Sequence, residues 1–146
     1  MRFFENMTVE QAKMLSPLSL AFVGDAVYTL YARSKVIQHS DAKNGALHTE
    51  ATKLVKASGQ AEMADAILSL LTEEEMGVFK RARNSKTNSV AKNASIGDYK
   101  KATGFEALVG FLYLTGQDER LKYLLNERES VCQQDRKSTR LNSSHA

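Results

Sequence analysis

Cysteine, proline and tryptophan are almost missing from this 146-residue chain, which has one Cys, one Pro and no Trp. A lone thiol, Cys132, cannot close an internal disulfide, and no Cys/His cluster has metal-ligand spacing. Cys132 reads as an inert residue at the edge of the last helix. No alternating apolar stretch bounded by turn residues is present, so nothing in the pattern argues for β-strands. No apolar run approaches the length of a bilayer span, and Met1-Arg2-Phe3-Phe4-Glu5 lacks the apolar core of a signal peptide. A cytoplasmic location, away from membranes, is the expectation. One-sided charge is scarce as well. Of the net +3, the tail Asp135 to Ala146 (DRKSTRLNSSHA) supplies +2, leaving +1 on the body. That tail is polar, lacks apolar periodicity and resembles translated adaptor sequence. We therefore expect one domain over residues 1–134 and a disordered or non-native tail over 135–146.

What the chain does have is helical period, and the expected fold class is all-α. Thr8-x-x-Gln11 has the form of a capping box for a short first helix ending near Leu15. Ser16-Pro17 gives an N-cap followed by proline at the first helical position, opening a helix to about His39 whose apolar faces include Leu18, Phe22, Tyr28 and Tyr31. From Gly45 to Leu71, Leu47, Ala51, Leu54, Val55, Ala61, Ala64, Ile67, Leu68 and Leu71 keep helical spacing, with a break expected near Ser58-Gly59. Thr72-x-x-Glu75 is a second capping box, for a short helix holding Met76 and Phe79. Asn84 to about Asp98 has loop composition. Helical period returns near Tyr99 and runs to Leu114, Gly116 closes that helix, and Asp118 opens a last one.

Two carboxylates stand in unsuitable company. Asp25 lies in Leu20-Ala21-Phe22-Val23-Gly24-Asp25-Ala26-Val27-Tyr28, and Glu106 in Thr103-Gly104-Phe105-Glu106-Ala107-Leu108-Val109-Gly110. On helices both are flanked by apolar or small residues, where an unpaired charge is costly. Gly24 and Gly110 would let the two helices approach closely. Facing acids in a helical bundle suit a hard cation such as Mg²⁺, which takes one or two carboxylates and keeps water or phosphate oxygens in its other positions. The competing reading is that each acid pairs with a Lys or Arg or caps a neighbouring helix.

Between Glu75 and Asp98 there is no acid, while Lys80, Arg81, Arg83, Lys86 and Lys92 gather there beside Asn84, Ser85, Thr87, Asn88, Ser89 and Asn93. Cations and short polar groups suit phosphate and sugar contacts, and the scarcity of aromatics argues against stacked single-strand bases. Lys100 and Lys101 extend the patch. The bland alternative is a solvated loop. His39 and His48 read as surface or packing residues, since neither has a partner at catalytic spacing.

LAFVGDAVY (20–28) resembles the signature helix of the ribonuclease III endonuclease family, and FEALVGFLYL (105–114) resembles its second conserved segment. Order and spacing agree over about residues 16–130. The sequence is most similar to the Mini-ribonuclease III subfamily, which has no appended double-stranded-RNA-binding domain. Residues 58–62 and 80–86 also look like segments of that subfamily. The resemblance implies a helical homodimer with two active sites and metal-dependent hydrolysis of double-stranded RNA, leaving 5′-phosphate and 3′-hydroxyl ends. Asp25 and Glu106 match the family's metal-binding acids, with Mg²⁺ as cofactor and Mn²⁺ able to stand in. Three further acids of the longer enzymes are replaced, by Ala21, Thr103 and, at about its position, Asn44, which implies a thinner metal shell. The resemblance also implies a ribosomal RNA precursor as substrate, at the stem formed by the large-subunit (23S) RNA ends, with a ribosomal protein assisting. A catalytically silent duplex-RNA-binding or ribosome-associated protein of the same fold, and a purely structural helical adaptor, are the alternatives.

Overall fold

Pro17 opens the longest helix of the computed structural model, which describes residues 3–39, 43–85 and 95–126. The elements are α1 (Val9–Lys13), α2 (Pro17–His39), α3 (Asn44–Val55), α4 (Ala57–Ile67), a 3₁₀ turn (Leu68–Leu70), α5 (Glu73–Arg83) and α6 (Ile96–Leu114). Residues 118–126 form a further helix, α7. There is no strand among the described residues, so the all-α expectation holds. No helix among them is long and apolar enough to cross a membrane.

Local signals set most helix ends. Thr8 and Gln11 cap α1 reciprocally, and Thr72 and Glu75 do the same for α5, so each box satisfies two otherwise orphaned backbone N–H groups. Gly116 follows α6 with φ +71°, where a Cβ would also strike the Asn6 side chain. Two boundaries differ from the sequence reading. The α3–α4 break falls at Lys56, and Ser58 and Gly59 belong to the first turn of α4. A Cβ on Gly59 would overlap the Lys53 carbonyl and stand 2.8 Å from that of Leu54, so this glycine serves close packing on α3 rather than a break. Helix α6 starts at Ile96, three residues before the expected Tyr99, because Ser95 accepts from the Asp98 N–H as an N-cap.

Helix α6 is the centre of the fold, packed by α2, α4 and α5. It is buried on nearly every side, from Ala102 through Leu114, as an all-round apolar helix must be. On α2 the buried residues Leu20, Gly24, Tyr28, Ala32 and Val36 form one i, i+4 row. Tyr28 meets Phe105 edge-to-face at 4.9 Å between ring centroids. The Tyr31 hydroxyl donates to the Leu125 carbonyl at 3.0 Å, tying α2 to α7. Phe105, Phe111 and Leu112 are fully buried, and Tyr31 and Tyr113 partly so, in line with a packing role. Phe22 departs from that pattern at 81% exposed, and Leu30 (62%) and Ile37 (66%) share its outward position on α2.

Glu75 is buried against α7. Arg120 donates to both its carboxylate oxygens (2.9 and 2.8 Å) and to the Leu70 carbonyl (2.7 Å). Its pKa is held below the usual carboxylate value chiefly by that Arg120 hydrogen bonding.

Candidate active site

The site is built where α2 crosses α6. A Cβ on Gly24 would overlap the Glu106 carbonyl oxygen and stand 2.8 Å from the Gly110 nitrogen. A Cβ on Gly110 would overlap the Leu20 carbonyl. Only glycine permits this approach, in which each helix rests on the other's backbone. Asp25 follows Gly24, and Glu106 lies one turn before Gly110, so the contact that needs two glycines also brings the two acids together.

Asp25 and Glu106 line one cavity of about 680 Å³, shared with Lys56, Gln60, Tyr99 and Thr103. The two acids are unequal. Asp25 is exposed, contrary to its expected apolar surroundings, whereas Glu106 is half-buried on α6. Burial pushes the Glu106 carboxyl up to about 8, and the Asp25 charge and a hydrogen bond with Asp25 add to the shift. At neutral pH Glu106 therefore favours its protonated form. Neither acid has an ion-pair partner among the described residues, which disfavours the salt-bridge reading of these carboxylates.

A divalent cation fits this donor set. Two carboxylates lining one cavity are hard oxygen donors, and a cation held between them would relieve their mutual repulsion. No group of three or more His, Cys, Asp or Glu side chains gathers among the described residues, so water and phosphate oxygens would complete the shell. Ala21 and Thr103 both border the cavity. The Thr103 hydroxyl donates to the Tyr99 carbonyl of its own helix at 3.0 Å. The side chain of Asn44 lies outside the described residues.

Of the candidate RNA-contacting residues, Lys80, Arg81, Arg83 and Asn84 sit at the end of α5. Lys80 is exposed, Arg81 donates to the Lys13 carbonyl (3.3 Å), and Arg83 lies over the Phe79 ring while donating to Asn84 (3.3 Å). Phe79 packs where a Gly104 Cβ would stand, 2.8 Å from its ring, and so fixes the basic end of α5 two residues from Glu106 along α6. Lys86, Thr87, Asn88, Ser89, Lys92 and Asn93, like Cys132 and the tail, lie outside the described residues. Lys100 is exposed, and Lys101 is paired with Asp65 at 2.9 Å.

Sequence reading missed Lys56, Gln60 and Tyr99. A signal existed for Gln60: it begins the row Gln60, Ala61, Met63, Ala64, Ile67 that α4 buries, and a polar residue at a core position needs a reason.

An all-helical domain with two carboxylates on crossing helices at its centre defines the class. Residues 18–117 match the family described as "Ribonuclease III domain". The chain is 48% identical to "Mini-ribonuclease 3" of Thermoanaerobacter sp. (strain X514) over 128 residues, covering 86% of this chain and 90% of that protein. It is 38% identical to "Mini-ribonuclease 3" of Staphylococcus aureus (strain NCTC 8325) over 125 residues, covering 84% of this chain and 93% of that protein. A crystal structure of a Fusobacterium nucleatum protein superposes with a TM-score of 0.71 at 32% identity, covering 76% of this chain and 90% of that one. The chain belongs to the ribonuclease III family of endoribonucleases, in the group of the Mini-ribonucleases 3.

Proposed function

We propose that the chain is a Mg²⁺-dependent endoribonuclease that cuts double-stranded RNA, with Asp25 and Glu106 holding the cation. The observation that carries this reading is two carboxylates from crossing helices lining one cavity, neither paired with a basic side chain among the described residues. A divalent ion there supplies Lewis-acid polarisation of a phosphoryl oxygen and lowers the pKa of water, so no side-chain nucleophile is needed. Asp25, the more exposed of the two, and Glu106, half-buried, would hold the ion between them. Lys56, which lines the same cavity, adds positive charge for the substrate phosphate. Lys80, Arg81, Arg83, Asn84, Lys86 and Lys92 hold the duplex backbone, which favours duplex shape over base sequence.

The chain acts as a homodimer in this proposal, with Mn²⁺ able to replace Mg²⁺. Phe22, Leu30 and Ile37 leave one face of α2 apolar, and a second copy of the same face is the self-complementary partner that would bury it. Residues 1–134 form the catalytic domain, 135–146 a non-native tail, and the protein works in the cytoplasm. The resemblance to the Mini-ribonuclease III group is what favours a structured precursor of the large-subunit ribosomal RNA as substrate, with a ribosomal protein assisting. Incubation of the protein with a perfect RNA duplex and with folded precursor RNA, with and without Mg²⁺, tests the reading. Metal-dependent cuts bearing 5′-phosphates are expected. Binding without cutting on both RNAs would favour a silent duplex-RNA binder of the same fold.

A further inference from the structure

Gln60 is 3% exposed, near the start of α4. Its Nε2 donates to the Val55 carbonyl at 2.8 Å, which fixes the orientation of the carboxamide, since the reverse would set oxygen against oxygen. Its Oε1 is buried with no hydrogen-bond partner, and the residue lines the cavity of Asp25 and Glu106. A buried acceptor left unsatisfied is costly, and the bond to the Val55 carbonyl uses only the nitrogen of the carboxamide. The arrangement is accounted for when a donor arrives in the working complex.

The neighbouring groups indicate what carries that donor. Helix α4 begins with no side chain capping its first turn, and Lys56, Ala57 and Ser58 line the same cavity. Uncapped N–H groups at the positive end of a helix, with an adjacent Lys, form a seat for an anion. An amide oxygen does the opposite: it accepts from a neutral hydroxyl and repels phosphate. An anion seat beside a hydroxyl acceptor matches the repeating unit of one polymer backbone, a phosphate next to a ribose 2′-hydroxyl, which DNA lacks.

We propose that Gln60 is a ribose-reading residue, its Oε1 accepting from the 2′-hydroxyl of an RNA nucleotide whose adjoining phosphate rests on the first turn of α4 and Lys56. This rests on the duplex-RNA nuclease reading and adds the means by which that site tells RNA from DNA. Oε1 is closed to solvent in the free protein, so the carboxamide shifts toward the cavity as the nucleotide seats.

The test uses the intact protein with Mg²⁺ and a set of RNA duplexes, each carrying one 2′-fluoro nucleotide near the cut. Fluorine keeps the ribose pucker but cannot donate a hydrogen bond. At one position it should slow the wild-type protein about tenfold. Gln60→Met, or Gln60→Leu where the first melts below the assay temperature, should cut the all-ribose duplex about tenfold more slowly and be indifferent to fluorine at that position. A purely structural Gln60 would leave the fluorine profile of the variant parallel to wild type, which overturns the proposal, as does the lack of any sensitive position in wild type. Failure of wild type to cut the unmodified duplex sinks the nuclease reading instead, and shows before any modified duplex is used.

Discussion

Gly24 lies directly on the backbone of Glu106, so close that a single added methyl would overlap the Glu106 carbonyl oxygen. The same contact fixes the separation of α2 and α6 and the proximity of Asp25 to Glu106. Packing and chemistry are therefore set by one crossing.

Gly24→Ala should accordingly damage both. Backbone cannot step aside as a flexible side chain can, so a loss of about 3 kcal/mol is expected in urea denaturation, at the upper end of typical overpacking costs. Nuclease activity should fall further than stability does, since the acids part as the helices do. Gly45→Ala, at a helical position with open space around it, serves as control and should leave both unchanged.

Glu106 makes the metal-free fold sensitive to alkali. Its carboxyl is raised from 4.5 to about 8, so its contribution is fully present below the lower value and lost as pH rises through the upper one. In EDTA the melting temperature of wild type should fall between these pH values relative to Glu106→Gln, which keeps a neutral carboxamide throughout. Parallel melting curves for the two proteins across that range would mean the acids do not share a proton.

Glu75 has the opposite sign. Its lowered pKa means that the Arg120 contact stabilises the fold above the ordinary carboxylate pKa and is lost as pH falls through the folded value. Arg120→Ala should cost roughly 2 kcal/mol at neutral pH, less than a fully buried pair because Arg120 is partly exposed. That cost should shrink in acid, as read by denaturant titration at both pH values.

Phe22→Glu tests the apolar face of α2. At 81% exposure the residue contributes little to the protomer core, so protomer helicity should be unchanged. Sedimentation equilibrium should show a shift from dimer to monomer. A variant that remains as dimeric as wild type would exclude this face as the interface.

Much of the fold was legible in the sequence, and the reason is locality. Thr8 with Gln11, Thr72 with Glu75, and Ser16 before Pro17 signal helix starts within a few residues of chain. Gly59 misled because a glycine has two uses, a break or a close approach, and only the neighbouring carbonyls of Lys53 and Leu54 tell them apart. Phe22 was counted with the apolar faces of its helix, correctly in kind, but no periodicity says which apolar face meets the core and which meets solvent. The acids were identified by their company and by resemblance. Their pairing, the burial of Glu106 and the entry of Gln60 and Lys56 into the same cavity depend on residues far apart in the chain, which spacing along one helix cannot convey.

The most direct measurement is Mn²⁺ binding followed by electron paramagnetic resonance, on wild type, Asp25→Asn and Glu106→Gln. If the two acids hold one cation between them, wild type binds a single tight ion, and each substitution weakens it by one to two orders of magnitude, about 1.4 kcal/mol per factor of ten, while the far-ultraviolet circular dichroism stays the same. Equal Mn²⁺ affinity in all three proteins would contradict the account, because the acids could then share a cavity without forming a site.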